Sequence, residues 1–151
     1  MLAEYKSKHG MVSRPPYELY MAFADLRNFA QMLPPDKREQ VTADFDTLEA
    51  SVQGFRIGVK VTRRSPYYLI ALEDHNAPFH FQANLHFDEA PEGKTDFSID
   101  ASSEMSFMMK AMLGSKIKDA LDKIVEGIVA VSEGRVPEGV DPSSFPGNFN
   151  F

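Results

Sequence analysis

Four histidines, His9, His75, His80 and His86, are the first residues in this 151-residue chain that can do metal or proton-transfer chemistry. His80 and His86 share one parity of a strand-like run. Six residues at ~3.3 Å each hold them roughly 20 Å apart, too far to share an ion. His75 falls in a turn and His9 near the start, neither with ligand-like spacing. The expectation is solvated sheet-face histidines, no metal site and no cofactor. Carboxylates come in pairs: Asp44/Asp46, Glu73/Asp74 and Asp96/Asp100. By parity the last pair points to solvent, and the face of Asp44 and Asp46 stays open. General acid–base work needs a carboxylate enclosed and shifted in pKa, and the sequence singles out none. Cysteine is absent, which excludes disulfides, thiolate ligands and cysteine nucleophiles. No Gly-x-Ser-x-Gly elbow and no phosphate-cradling glycine loop occurs, since Gly54, Gly58 and Gly93 stand alone.

What remains is a set of apolar positions with a polar rim. Phe55, Ile57, Val59 and Val61 alternate against Arg56, Gly58, Lys60 and Thr62, the pattern of a half-buried strand. Arg63 keeps the inward parity and Tyr68 (or Tyr67) follows one turn later. An Arg and a Tyr at a pocket mouth can hold the carboxylate or carbonyl of an apolar ligand. The competing reading is that Arg63 has reached the strand end and points into water. Met105, Met108, Met109 and Met112 gather at the start of the last amphipathic run, where methionine either fills an irregular core or lines a pocket for varied apolar ligands. The candidate ligand-binding set is Phe55, Ile57, Val59, Arg63, Tyr68, Phe81, Ala83, Met105, Met109 and Met112. No catalytic residue is assigned.

The elements that must position these residues can be read in order. Residues 3–12 read as a first strand. Ser13 is a cap candidate before Pro15-Pro16, where missing N–H groups cost nothing. Tyr17, Tyr20, Met21 and Ala24 stripe a short helix, and Leu26 to Leu33 form a second, stopped by Pro34-Pro35. From Val41 to Ser103 the chain alternates as strands separated by turn signals. The clearest is Phe79, Phe81, Ala83, Leu85 and Phe87 against His80, Gln82, Asn84, His86 and Asp88. Short turns between successive strands imply an antiparallel sheet with one apolar face. Met105 to Glu133 then repeats apolar residues at three-and-four spacing, an amphipathic helix roughly 40 Å long. Gly114 interrupts it at a cost of about 1 kcal/mol relative to Ala, and on the border of the apolar stripe an added methyl is expected to overpack. The fold class is α+β: a curved antiparallel sheet, two short helices closing one end, and a long C-terminal helix on the apolar face.

The order of these elements resembles the START/SRPBCC superfamily, the helix-grip fold shared with the birch-pollen allergen and the polyketide cyclase/dehydrase-like proteins. The resemblance is carried by Pro16-Tyr17-Glu18-Leu19-Tyr20-Met21-Ala22-Phe23-Ala24-Asp25 with Asn28 and Pro34, then Pro66-Tyr67-Tyr68-Leu69-Ile70, Ala77-Pro78-Phe79-His80-Phe81 and the final helix. It covers roughly residues 3–133 and is similar above all to small, functionally orphan bacterial SRPBCC proteins. It implies a cavity between sheet and helix for an apolar or amphipathic molecule, and transfers no catalytic residue. Two alternatives stand beside ligand binding: a cyclase/dehydratase-type enzyme, which needs an inward acid–base pair, and a protein-binding module of Hsp90-activator type, which needs a filled cavity.

Residues 1–133 are expected to form the domain and 134–151 a tail, rich in Pro and Gly and made sticky by Phe145, Phe149 and Phe151. Self-association through that tail or the outer sheet face is a partner reading that stays open. A net charge of -6 without a basic patch speaks against nucleic acid. No run approaches the ~18 apolar residues of a membrane span, and the expected compartment is the cytoplasm.

Overall fold

The computed structural model describes residues 2–31, 39–52 and 55–134. Its elements are β1 (Leu2–Lys6), β2 (Gly10–Val12), α1 (Pro16–Phe23), α2 (Arg27–Gln31), β3 (Val41–Ala43), β4 (Thr47–Val52), β5 (Phe55–Ser65), β6 (Leu69–Asp74), β7 (Phe81–Ala90), β8 (Lys94–Glu104) and a long helix, α3 (Phe107–Ser132). The strands form one curved antiparallel sheet in the order β1-β8-β7-β6-β5-β4-β3, with β2 also on β8. Short turns between neighbours in sequence dictate this order from β3 to β8.

The expected strand over 3–12 is two strands on one edge of β8. Between them Ser7 replaces the missing ladder. Its N–H donates to Ile99 O, and its hydroxyl accepts the Ile99 N–H, both at 2.8 Å. The run from 42 to 52 also divides, because Asp44 Oδ1 accepts the N–H groups of Asp46 (2.9 Å) and Thr47 (2.7 Å) and folds a turn there. Ser13 does not cap α1. Pro15 holds that position in extended backbone without a side-chain bond, and the Ser13 N–H instead donates to Ser132 Oγ at 3.1 Å. α2 is described only to Gln31, so Leu33 and the prolines after it lie outside the described residues, as does the tail from 135.

Ser106 caps α3, its Oγ accepting the Met109 N–H at 3.1 Å. Gly134, at a φ of 79°, follows its end in the left-handed conformation that glycine adopts most readily. At ~1.5 Å per residue the 26-residue helix spans roughly 39 Å. Its C-terminal half belongs to the packed core: Val125 and Ile128 meet Val12, Leu19, Phe23, Phe87 and Phe97. Gly10 on β2 lies beneath that half at close range, where a Cβ would stand 2.5 Å from Val125 Cγ1 and 2.6 Å from Val129 Cγ2. The close-packed end of the molecule is thus α1, β2, β8 and the second half of α3. The other end is hollow.

Candidate functional site

Parity along β7 places the site. Phe81, Ala83, Leu85 and Phe87 point beneath α3, while Gln82 is exposed on the outer face. The same alternation sends Ile57 and Val59 of β5, Leu72 of β6, and Ile99 and Ala101 of β8 inward. Leu48 and Ala50 join them from β4, whose inner face the sequence leaves unassigned. Leu26, Phe29 and Ala30 close one end, and Ile117, Leu121 and Ile124 of α3 form the roof. Together they surround a cavity of about 470 Å³ that also touches Tyr5, Phe79, Ser103 and Met105. Ile124 is 44 % exposed, which places it at the mouth.

Five residues of the sequence-derived set line this cavity: Ile57, Val59, Phe81, Ala83 and Met105. The side chain of Phe55 lies outside the described residues. Four residues stand elsewhere. Arg63 is exposed, its Nε donating to Ser65 Oγ at 2.7 Å. The cause is a register shift in β5. Val61 pairs with Leu72 but Arg63 pairs with Ala71, so one extra residue reverses the parity beyond Val61. Arg64 is turned inward instead. Its Nε and Nη2 donate to Ala24 O (3.0 and 2.8 Å), Nη2 also to Phe45 O (2.9 Å), and Nη1 meets Asp46 at 2.7 Å. That fork ties the end of α1 to the β3–β4 turn. Tyr68 belongs to the turn between β5 and β6 and is 52 % exposed.

Met109 and Met112 miss the cavity by rotation. At ~100° per residue, Met109 lies about 80° and Met112 about 140° around α3 from the lining residue Ile117. Met112 is accordingly 64 % exposed, and Met108 and Phe107 are exposed as well. Met105 reaches the cavity because it precedes the helix.

Among the described lining residues Tyr5 is the one titratable side chain; no carboxylate, histidine, lysine or arginine is with it. Polar chemistry gathers outside. On the outer face, His86 Nε2 lies 2.5 Å from Asp100 Oδ2, and Asn84 Nδ2 donates to Asp100 Oδ1 at 3.0 Å. His9 pairs with Asp96 (2.8 Å) and His80 with Asp74 (3.0 Å). Among the described residues no group of three His, Asp or Glu is arranged to hold a metal ion. The carboxylates with shifted pKa values serve local structure: a hydrogen bond from Arg27 holds Asp25 low, and bonds from Thr47 hold Asp44 low. Burial pushes the Tyr20 hydroxyl up. No described helix is long and apolar enough to cross a membrane.

Sequence reasoning missed Tyr5, although it sits on the inward parity of the first strand with Ala3 and pairs with inward Ala101. Ile117 and Leu121 are likewise absent from the sequence-derived set, although both lie on the apolar stripe of the last helix.

No family model and no curated protein matches the sequence. Solved structures do. A protein from Thermobifida fusca, solved in solution, superposes with a TM-score of 0.67 at 11 % identity, covering 89 % of this chain and 97 % of its own. The Zhui aromatase/cyclase from a Streptomyces species gives 0.63 at 13 % identity, with 91 % and 98 % covered. A norcoclaurine synthase point mutant from Thalictrum flavum gives 0.62 at 9 % identity, with 83 % and 95 % covered. At such identities the likeness speaks for backbone architecture. The chain has the fold of these structures, a curved antiparallel sheet gripping a long C-terminal helix.

Proposed function

We propose that the protein binds a small hydrophobic or amphipathic molecule in the cavity between sheet and α3. The observation that carries this reading is the chemistry of the lining: some 470 Å³ enclosed almost wholly by aliphatic and aromatic side chains, with no charged group among the described lining residues. That volume falls within the ~300–1,000 Å³ of ordinary ligand sites. Apolar lining left facing water there is surface that an apolar guest can cover, at ~25 cal/mol per Å². An apolar guest recovers contacts that the chain itself leaves unmade. A cyclase-type reading asks for two titratable groups converging in the cavity, and the described lining offers Tyr5.

Titration of the purified protein with the neutral fluorescent probe N-phenyl-naphthylamine tests the proposal. Saturable one-site binding is expected, and Ala83→Leu, which extends a side chain into the cavity, should weaken it without lowering the melting temperature. Absence of saturable binding, or equal affinity in Ala83→Leu, would overturn it. Native mass spectrometry of freshly purified protein then identifies what co-purifies.

A further inference from the structure

We infer that the cavity selects an uncharged apolar molecule bearing a carbonyl or hydroxyl oxygen, and that the Tyr5 hydroxyl is the group that anchors this oxygen. The inference rests on the ligand-binding reading above and names the chemistry of its ligand.

Three hydroxyl-bearing residues touch the cavity: Tyr5, Ser102 and Ser103. Ser103 is committed, its Oγ donating to His80 O at 2.6 Å. Ser102 faces Gln82 across the ladder, on the outward parity. Tyr5 points inward, opposite Ala101. Among the described residues its hydroxyl reaches only Met105 Sδ, at 3.9 Å. A thioether sulfur is a weak acceptor, so this half-buried phenol holds no strong partner on the protein and can donate to a better one. A ligand oxygen would supply one.

The helix opposite is shaped to leave that hydroxyl accessible. Gly114 stands over it: a Cβ there would already lie 3.4 Å from Tyr5 Oη. The described lining residues offer no counter-charge, so an ionised headgroup drawn among them would lose its hydration and gain no ion pair. Within the cavity these features favour a hydrocarbon body with one neutral oxygen over a fatty acid or a phosphate ester.

Calorimetric titration of the wild-type protein and Tyr5→Phe with acetylnaphthalene and isopropenylnaphthalene separates the possibilities. The two probes share a shape, with CH2 replacing the oxygen. Tyr5→Phe removes one hydroxyl and keeps the ring. Acetylnaphthalene should bind the variant roughly 2- to 10-fold more weakly, the worth of one net hydrogen bond, while the hydrocarbon binds both proteins alike. Naphthoate, ionised at neutral pH, should bind the wild type at least about tenfold more weakly than acetylnaphthalene. If both probes change equally in Tyr5→Phe, or neither does, the anchor is overturned and the cavity reading stands. If naphthoate binds as well as acetylnaphthalene, the preference for a neutral ligand is overturned. If the hydrocarbon fails to bind the wild type, the cavity reading falls and the inference with it.

Discussion

Asp122 of α3 accepts the backbone N–H of Lys8 at 2.7 Å, fastening the long helix to the chain between β1 and β2. The same carboxylate takes the Lys118 ammonium one helical turn away, at 2.8 and 2.9 Å. The Lys118 bond first, and the Lys8 N–H after it, hold Asp122 below the ordinary carboxylate range of 3.8. A group with a folded pKa below its unfolded one contributes stability that is fully present above the unfolded value. That contribution is lost as pH falls through the folded value. Asp122→Asn should therefore lower the melting temperature at neutral pH and narrow its gap to wild type below about pH 4. Parallel melting curves for the two proteins across that range would remove Asp122 from the acid sensitivity.

Gly114 tests whether α3 is crowded where it passes Tyr5. The sequence places this glycine on the border of the apolar stripe and predicts that a methyl would overpack. The structure corrects that expectation: the nearest described atom to a Cβ at 114 is Tyr5 Oη at 3.4 Å, an ordinary contact. Gly114→Ala should then stabilise the protein by ~0.4–1 kcal/mol, through helix propensity and a less disordered unfolded chain. Thermal melts read the sign, and a destabilised variant would restore the overpacking view.

Gly10 is the opposite case. Its missing side chain lets β2 approach Val125 and Val129 to a distance that a methyl cannot share. Val125 is fully buried and has no free space to move into. Gly10→Ala should cost ~1–3 kcal/mol by denaturant titration. An unchanged midpoint would mean that strand and helix stand further apart than this packing requires.

Much of the fold is legible in the sequence, and the limits have local causes. β7 is read correctly from Phe81 to Phe87 because its period of two runs without interruption. β5 starts the same way, but the inserted residue after Val61 puts Arg64 where parity expects Arg63, and alternation carries no signal of a bulge. The helix is legible as a stripe. Which side of the stripe meets the hollow end depends on where the sheet lies. Met112 stands about 140° around the helix from Ile117, so the two cannot share a face, and the sheet meets the side of Ile117. Tyr5 is hidden for another reason: β1 is short and weakly alternating, so its inward parity is a pattern of few residues.

The last prediction uses that rotation of α3 to ask where an apolar ligand sits. The ligand-binding set read from the sequence includes Met109 and leaves out Leu121. In the structure Leu121 lines the cavity and Met109 does not. Phe81→Ala and Leu121→Ala should weaken N-phenyl-naphthylamine binding, the leucine by ~1–2 kcal/mol if two buried CH2-sized contacts are lost. Met109→Ala should leave affinity unchanged, since Met109 is not among the residues that line the cavity. Ile128→Ala supplies the contrast within the same helix. Ile128 is fully buried in the close-packed end, so truncation there should cost ~2–5 kcal/mol of stability with little effect on binding once the variant is folded. Leu121→Ala should cost less stability than Ile128→Ala, because one side of Leu121 already faces a void rather than packed neighbours. Fluorescence titration and denaturant melts on the four variants give both axes. If Met109→Ala weakens the probe as much as Leu121→Ala does, the ligand lies toward the methionine-rich start of α3, not beneath Ile117 and Leu121.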